Sequence, residues 1–402
     1  MERSFKNKKK IIIFTLIILA LLTGMVFIAI KIVTTRDYLN SDFFTFWLSG
    51  HMIWTGENPY SNIDWVAGHH TFDVTWIPNS KFVYPLPLAY LYAPLGFLPY
   101  FEAYIIWVFL LQVMLLGSTY FLINQLPHSQ KNAYLFPLFA GVLLFRPSFA
   151  ALFGGQISIF MFFVLSAITY LWMKEKFILG CALLPIVALK PNIGIPILAI
   201  LSFWLLIKSR YKELLIIITS SLLLLGIGFF LNPNWIIEYW KIGNTKMGQT
   251  FGYSPTVWGL SALLTKFHYQ HTVLFGFILL IFILSITLFI LFKNRKYLRS
   301  QWIISISITV SLLITPYTWP YDQVLLIIPI LMIVFFMIEK ELKFMLSSTV
   351  FLFIDAIGLL LLYISAVMKM EIVNVFLPLL LWISIISIML SHRKKITTLN
   401  LE

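Results

Sequence analysis

The chain has 402 residues, of which 60% are hydrophobic and only 11% are charged, and its formal net charge is +13. A mean hydropathy of +0.91 excludes a soluble globular domain and predicts a protein that crosses a membrane several times. One cysteine, Cys181, leaves no pair for a disulfide and no thiolate set for a metal.

The positive charges fall between the apolar segments. Five lie in the first ten residues, and the others cluster in "MKEK" (173–176), "KSRYK" (208–212), "KNRKYLR" (293–299), "EKELK" (339–343) and "HRKK" (392–395). This spacing is typical of cytoplasmic loops under the positive-inside rule, whereas a nucleic-acid surface needs a basic patch on one face. We therefore expect a multi-pass protein of the cell membrane with both termini cytoplasmic and no nucleic-acid partner.

Twelve apolar runs are long enough to cross about 30 Å of hydrocarbon, allowing for tilt and for short spans inside a bundle. They lie near 11–30, 101–124, 134–149, 156–173, 177–189, 191–207, 213–231, 272–292, 301–316, 322–338, 344–366 and 372–390. The sequence thus predicts one all-α integral membrane domain over residues 1–402. No fixed repeat or heptad pattern suggests another architecture.

The run "YPLPLAYLYAPLGFLP" (84–99) is an exception. If the clusters before and after it are both cytoplasmic, it cannot be a further full span. Its four prolines favour a broken or re-entrant element.

The unusual polar motifs all fall on the outer side of this map. The first external loop covers 31–83 and the second covers 232–271, while three turns carry "FGGQ" (153–156), "LKPN" (189–192) and "TPYTWPYDQ" (315–323). Simple connections need only a few residues, so two long loops rich in Trp, Tyr and Asp indicate a site at the outer membrane surface.

The first external loop predicts a helix directly after the first span. Ser41 or Asp42 can cap it, and an apolar face follows at helical spacing, formed by Phe43, Phe44, Trp47, Leu48, Met52 and Trp54. Such a helix is expected to lie in the membrane interface. Asp42 as a simple helix cap remains an alternative.

Five short motifs in order carry a family resemblance: the acid Asp42 after the first span, "GENPY" (56–60), "YPLPL" (84–88), "GGQ" (154–156) and "LKPN" (189–192). Together they resemble glycosyltransferase family 87, from Asp42 to about Asp322. The resemblance implies the GT-C architecture, a bundle of about twelve helices with an interfacial helix in the first external loop. It also implies transfer of a sugar, typically mannose, from a polyprenyl-phosphate carrier to a lipid or glycan acceptor at the outer face.

Asp42 matches the acid that the family places in the first external loop. A carboxylate beside an acceptor hydroxyl can take its proton as the hydroxyl attacks the sugar, and the configuration would then invert. Asp37, five residues earlier, is the rival base or a solvated loop acid.

A lipid-phosphate leaving group needs positive charge or oriented donors. Lys190 matches the family's Lys-Pro and is the first candidate, followed by Arg146, Lys241 and Lys246. Lys190 at the end of an apolar helix could instead only snorkel to the membrane surface.

The sugar pocket is expected to include Gln156, Trp319, Tyr317 and Asp322. The amide can bind sugar hydroxyls and the aromatic rings can form a platform. A tight turn at the glycine pair, an aromatic belt and a helix-capping acid explain the same residues without a pocket. Many relatives have a histidine near 315–323, and this chain has none, which puts a second catalytic partner in doubt.

We expect neither a metal nor a cofactor, because the chain has no D-x-D pair, no Walker A motif and no Rossmann glycine pattern. His51, His69 and His70 lack the spacing of a metal site and are expected at the surface. Asp355, in a late span, is expected to be hydrogen-bonded or protonated.

Two other functional classes remain as alternatives to a glycosyltransferase. A transporter or lipid flippase would also be polytopic, but would favour inverted repeats and paired broken helices. A glycan ligase or polymerase would use the same carrier without a dedicated base.

Overall fold

The computed structural model describes residues 2–35, 38–74, 82–250, 252–341 and 344–399. Helices make up 81% of the chain, and the described residues contain no strand. The predicted all-α class is confirmed in this form.

Eighteen helices lie in the described residues. The first nine are α1 (Glu2–Thr34), α2 (Asp42–Thr55), α3 (Asn62–Thr71), α4 (Pro87–Gly96), α5 (Tyr100–Ile123), α6 (His128–Leu144), α7 (Arg146–Phe153), α8 (Ser158–Met173) and α9 (Phe177–Leu183). The others are α10 (Pro191–Ile207), α11 (Tyr211–Gly228), α12 (Trp235–Thr250), α13 (Val257–Leu264), α14 (Tyr269–Lys293), α15 (Ser300–Ile314), α16 (Ile327–Glu339), α17 (Phe344–Met368) and α18 (Phe376–Leu399). Four 3₁₀ turns lie at Tyr38–Asn40, Leu184–Leu189, Pro320–Leu326 and Glu371–Val375.

Six helical segments among the described residues are long and apolar enough to cross a membrane: Tyr100–Ile123, Tyr211–Gly228, Tyr269–Lys293, Pro320–Glu339, Thr349–Met368 and Glu371–Ser391. Five shorter apolar helices overlap other predicted spans: Leu19–Thr34, Ser158–Met173, Phe177–Leu189, Pro191–Ile207 and Ser300–Ile314. The count of twelve spans therefore remains a prediction.

The predicted span 134–149 is not one continuous helix. The pair Gln130–Leu144 and Arg146–Phe153 is bent by 55°. Pro147 explains the break, because a proline inside a continuing helix lacks the amide hydrogen and collides with the carbonyl four residues earlier. Arg146 is thus the first residue of a new helix.

The centre of the bundle is formed by α15 and α16. Every residue from Trp302 to Ile314 is buried, and most of α16 is buried too. By contrast, little of α11 and α14 is buried. A helix that is apolar all round packs either in the protein core or against lipid. The pair α15 and α16 lies in the core, whereas the pair α11 and α14 is suited to contact with lipid.

The loop after the first span folds into α2, which packs tightly on α4. A Cβ on Gly50 would lie 2.4 Å from the Tyr92 carbonyl oxygen, and one on Gly96 would lie 2.3 Å from the Gly50 carbonyl carbon. The ten-residue α4 is too short to span the membrane, in line with the expected broken element.

The helix predicted after the first span is present as α2, but its apolar face packs inside the protein. Five of its six predicted apolar residues are buried: Phe43, Phe44, Trp47, Leu48 and Met52. Trp54 alone of the six is exposed. This burial gives no support to an interfacial position for α2, which remains a prediction.

Candidate functional site

Four elements bring their N-terminal ends to one place. Asp42 is the first residue of α2, Ser158 the first of α8, and Lys190 immediately precedes α10. Asp322 lies in the 3₁₀ turn that leads into α16. Hydrogen bonds connect these ends in pairs, and the unpaired amide hydrogens of helix N-termini favour a bound anion.

The turn at Gly154 and Gly155 positions Gln156. Gly155 has φ +60, and its absent Cβ would lie 2.9 Å from both Phe43 and Tyr104. Trp107 Nε1 donates to the Gly155 carbonyl at 2.8 Å, and Tyr104 OH donates to the Phe153 carbonyl at 3.0 Å. The glycine is required here both by its left-handed conformation and by the close approach of α2 and α5.

Gln156 connects this turn to Asp42. The Gln156 side chain is 1% exposed, and its Nε2 donates to Asp42 Oδ2. Its other atom, Oε1, is buried without a hydrogen-bond partner in the described part of the chain. Asp42 itself is exposed. The pair therefore places an accessible carboxylate beside a free amide acceptor.

Lys190 and Asp322 form a buried ion pair. Lys190 Nζ contacts Asp322 Oδ1 and donates to Ser158 Oγ at 3.1 Å, while Ser158 Oγ also donates to Asp322 Oδ1. Asp322 Oδ2 accepts from Thr318 Oγ1 at 2.9 Å and from the Trp319 amide at 3.1 Å. Both carboxylate oxygens are thus fully engaged, which compensates for the burial of the two charges.

The "LKPN" motif also holds the loop that carries Tyr317. Asn192 Nδ2 donates to the Tyr317 carbonyl at 2.8 Å, and Thr315 Oγ1 donates to the same oxygen at 3.1 Å. Lys190 Nζ lies 4.9 Å from the centre of the Tyr321 ring. The two predicted motifs "LKPN" and "TPYTWPYDQ" therefore form one structure, in which the Trp319 ring is half-buried.

Tyr84 lies near both aspartates, Tyr317 lies near Asp322, and Tyr239 lies near these two tyrosines. Burial, together with the nearby Tyr317, Asp42 and Asp322, raises the pKa of Tyr84 well above its usual value. Burial, Tyr239 and Asp322 raise the pKa of Tyr317, and burial raises that of Tyr239 to about 12. These groups stay protonated at neutral pH and can donate hydrogen bonds to a ligand.

The two long loops meet beside this cluster. Glu238 on α12 accepts from Asn58 Nδ2 at 2.9 Å and from Asn232 Nδ2 at 2.8 Å. Tyr60 OH donates to the Tyr84 carbonyl at 2.7 Å. The "GENPY" turn thus connects α12 to the segment that carries Tyr84.

Arg146 belongs to a second polar cluster. Its guanidinium donates to Asn374 Oδ1 at 2.9 Å and lies 3.5 Å from Glu371 Oε2. The Asn374 carbonyl accepts from Gln323 Nε2 at 2.8 Å, and Gln323 is the neighbour of Asp322. Arg146 is therefore connected to the site through other side chains, and its charge is already balanced by an acid.

The remaining candidates have other positions or lie outside the described residues. Lys241 is exposed on α12, and the side chain of Lys246 and the whole of Asp37 lie outside the described residues. His69 is buried, contrary to expectation, and its Nδ1 pairs with the Trp65 carbonyl at 2.8 Å. Both oxygens of the buried Asp355 have no hydrogen-bond partner among the described residues, which leaves the protonated form of that expectation.

A metal ion would need several ligands in one place. The described residues contain no group of three His, Cys, Asp or Glu side chains that could hold one. Whether the protein works without a metal remains a prediction.

Comparison with known families decides the identity. A model of glycosyltransferase family 87 matches residues 82–316, which is more than half of the chain. The chain belongs to glycosyltransferase family 87. Membership implies that this family 87 protein is a glycosyltransferase. No curated protein and no solved structure matches it.

The family match covers part of the site of this family 87 protein. Arg146, Gln156 and Lys190 lie inside the matched segment, whereas Asp42 precedes it and Tyr317, Trp319 and Asp322 follow it. The roles expected for all seven residues remain predictions.

Sequence reasoning missed several residues of the site. Tyr84 and Asn58 lie inside quoted motifs, and Ser158 is two residues after Gln156, so their position next to a motif was an available signal. For Tyr239, the only available signal was its position in the second external loop. Glu371, an acid in the turn before the last predicted span, could have been matched with Arg146.

Proposed function

We propose that this glycosyltransferase moves a sugar, mannose by the family resemblance, from a polyprenyl-phosphate carrier to a lipid or glycan acceptor. The exposed Asp42 carboxylate, held by Gln156 among neutral tyrosines, is the observation that carries the proposal. Asp322 is buried and has both oxygens engaged, so Asp42 is the acid that can reach an acceptor.

In the proposed step, Asp42 removes the proton from the acceptor hydroxyl as its oxygen bonds to the anomeric carbon. The bond between that carbon and the phosphate oxygen breaks, and the polyprenyl phosphate leaves with the electron pair. Attack from the face opposite the phosphate inverts the anomeric configuration. Asp42 ends protonated and returns the proton to water.

The unpartnered Oε1 of Gln156 supports a sugar at this place. A buried carbonyl oxygen without a donor is costly, and a sugar hydroxyl would supply one. We assign Tyr317, Trp319 and Asp322 to the same sugar pocket, with Trp319 as the stacking surface.

The converging helix ends and the tyrosine hydroxyls support an anionic leaving group. Lys190 can contribute its field, since it lies beside Asp322 and Ser158, while direct contact with a phosphate requires it to exchange one of those partners. Arg146 would act at a greater distance through Asn374 and Gln323.

The cellular setting proposed follows from the charge pattern. The GT-C bundle lies in the cell membrane with its termini in the cytoplasm and its site at the outer face, and the partners are membrane lipids and the two substrates. No metal and no other cofactor takes part.

The decisive experiment uses the purified protein in lipid nanodiscs with polyprenyl-phosphate [³H]mannose and a lipid extract from the host. Asp42→Asn is compared with Asp37→Asn, after thermal unfolding has shown that both variants are folded. We expect wild-type product, a loss of about 10²- to 10⁴-fold in Asp42→Asn, and nearly full activity in Asp37→Asn.

Each other outcome has a consequence. Loss only in Asp37→Asn would make that residue the base, and loss in neither would favour a ligase or polymerase. If no polyprenyl-phosphate sugar yields product, the transferase proposal is overturned. Transport would then be tested by measuring the flux of the labelled carrier across the liposome membrane.

A further inference from the structure

One face of α12 carries exposed apolar residues that no other part of the described structure covers. Ile237 is 58% exposed and Trp240 is 68% exposed, and Ile236 lies on the same side at helical spacing. The opposite side carries the buried Trp235, the half-buried Tyr239 and the hydrogen-bonded Glu238.

The end of α11 contacts the start of α12, where the Phe229 and Trp235 rings lie 6.0 Å apart, and it is also apolar and exposed. The exposed Leu222 and Leu223 belong to that candidate span, and Phe229 and Phe230 follow before the chain turns into α12. Phe230 is 86% exposed. Large contiguous apolar surface on a soluble loop promotes aggregation, so its direct continuity with a span argues for lipid as its partner.

The polar residues of α12 fit the same partner. Trp240 has an apolar ring with one polar edge, and the exposed Lys241 follows it. Tryptophan and lysine are the side chains that anchor helices at the boundary between hydrocarbon and headgroups.

We propose that the outward face of α12 (Ile236, Ile237 and Trp240) docks on lipid at the membrane–water interface next to the site. This inference goes beyond the proposed function, because it concerns where α12 lies and not what the site transfers. Tyr239 borders the site from the other face of α12. Lipid contact therefore fixes the distance of Tyr239, and of this side of the site, from the bilayer.

The test uses the single cysteine of the chain. Cys181 is fully buried and is replaced by alanine, and one new cysteine is introduced as Ile237→Cys or, independently, Trp240→Cys. Leu222→Cys on α11 is the lipid control, and Asn62→Cys, an exposed residue of α3, is the water control. Each variant is labelled with a nitroxide in liposomes, and its collisions with oxygen and with a water-soluble nickel chelate are measured.

We expect the ratio of oxygen to nickel collisions at 237 and 240 to exceed that at 62 and to approach that at 222. Ratios equal to that at 62 would mean that this face contacts water and would overturn the proposal. Protection from both reagents with spin–spin broadening would assign the face to a second copy of the chain and would also overturn it. None of these readings depends on sugar transfer.

Discussion

Asp42 and Asp322 occupy the same site in opposite environments. Asp42 is exposed at the first turn of α2, where it accepts a hydrogen bond from the Gln156 amide. Asp322 is buried, and four groups engage its two oxygens: Lys190, Ser158, Thr318 and the Trp319 amide. One carboxylate is accessible for chemistry, and the other holds helix ends together.

The difference teaches that an acid in a pocket motif need not be reactive. A buried carboxylate with both oxygens engaged has little capacity to accept a proton from a substrate, whereas an exposed carboxylate can be reached by the substrate. Stability should therefore depend on Asp322 and its partners, and transfer should depend on Asp42 and Gln156.

Removing the positive partner of Asp322 gives the largest expected effect. Lys190→Met leaves a buried carboxylate without its cation, which should lower the free energy of unfolding by about 3–5 kcal/mol. Thermal unfolding in detergent micelles measures the loss. Lys190→Met/Asp322→Asn, which is neutral at both positions, should recover most of it.

The exposed ion pair between Arg299 and Glu339 is the matched control. Arg299→Met should cost about 0–1 kcal/mol. A double variant at 190 and 322 that is no more stable than Lys190→Met would contradict the stabilising role of the pair.

Gln156→Leu tests whether transfer depends on the residue that holds Asp42. It removes the hydrogen bond to Asp42 and the free acceptor, and a hydrogen bond to a charged group contributes about 1.5–3 kcal/mol, so kcat/KM should fall about 10- to 100-fold. Gln112→Leu removes another buried glutamine, which donates to the Met25 carbonyl on α1. It should alter stability and leave transfer intact, and equal activity losses in both variants would contradict the assignment.

Gly155→Ala tests how the turn places Gln156. Alanine must adopt φ +60 and approach Phe43 and Tyr104 too closely, so unfolding should require about 1–2 kcal/mol less free energy. Gly117→Ala is the control, since no heavy atom lies within 4 Å of the new Cβ. That change within α5 should stabilise the protein by about 0.5–1 kcal/mol. Unfolding in denaturant would distinguish the two signs.

The smallest effect concerns alkaline pH. Burial raises the pKa of Tyr239 to about 12, while an unfolded tyrosine titrates near 10. Its stabilising contribution is therefore complete below about pH 10 and is lost as the pH rises toward 12. Tyr239→Phe should lose less stability than wild type between pH 8 and pH 11, as measured by thermal unfolding. Parallel losses would contradict the burial of this hydroxyl.

Hydropathy and charge predicted the helical membrane class, because each span carries its own signal. The motifs "LKPN" and "TPYTWPYDQ" meet in the pair of Lys190 and Asp322, and "GGQ" meets Asp42 through Gln156. Charge spacing alone could not reveal that Lys190 pairs with Asp322. That pairing depends on which helix ends meet across 132 residues of chain.

Two local features of the structure do not follow from apolar patterns alone. The bend at Arg146 follows from Pro147, which a search for apolar runs ignores. The apolar face of α2 predicted a helix in the membrane interface, which stays a prediction. An apolar face indicates only that something covers it, and α4 packs closely on α2. On α12 a similar apolar face is not covered by the described part of the protein. The sequence pattern alone does not distinguish the two cases.

The glycine contact between α2 and α4 has a consequence for how substrates enter. With Gly50 and Gly96 in direct backbone contact, these helices cannot approach further, and separating them would open a gap that no side chain fills. The pair of helices α2 and α4, which carries Asp42, is therefore expected to stay rigid when a substrate enters. Any opening through which a lipid tail enters is therefore expected away from the contact between α2 and α4.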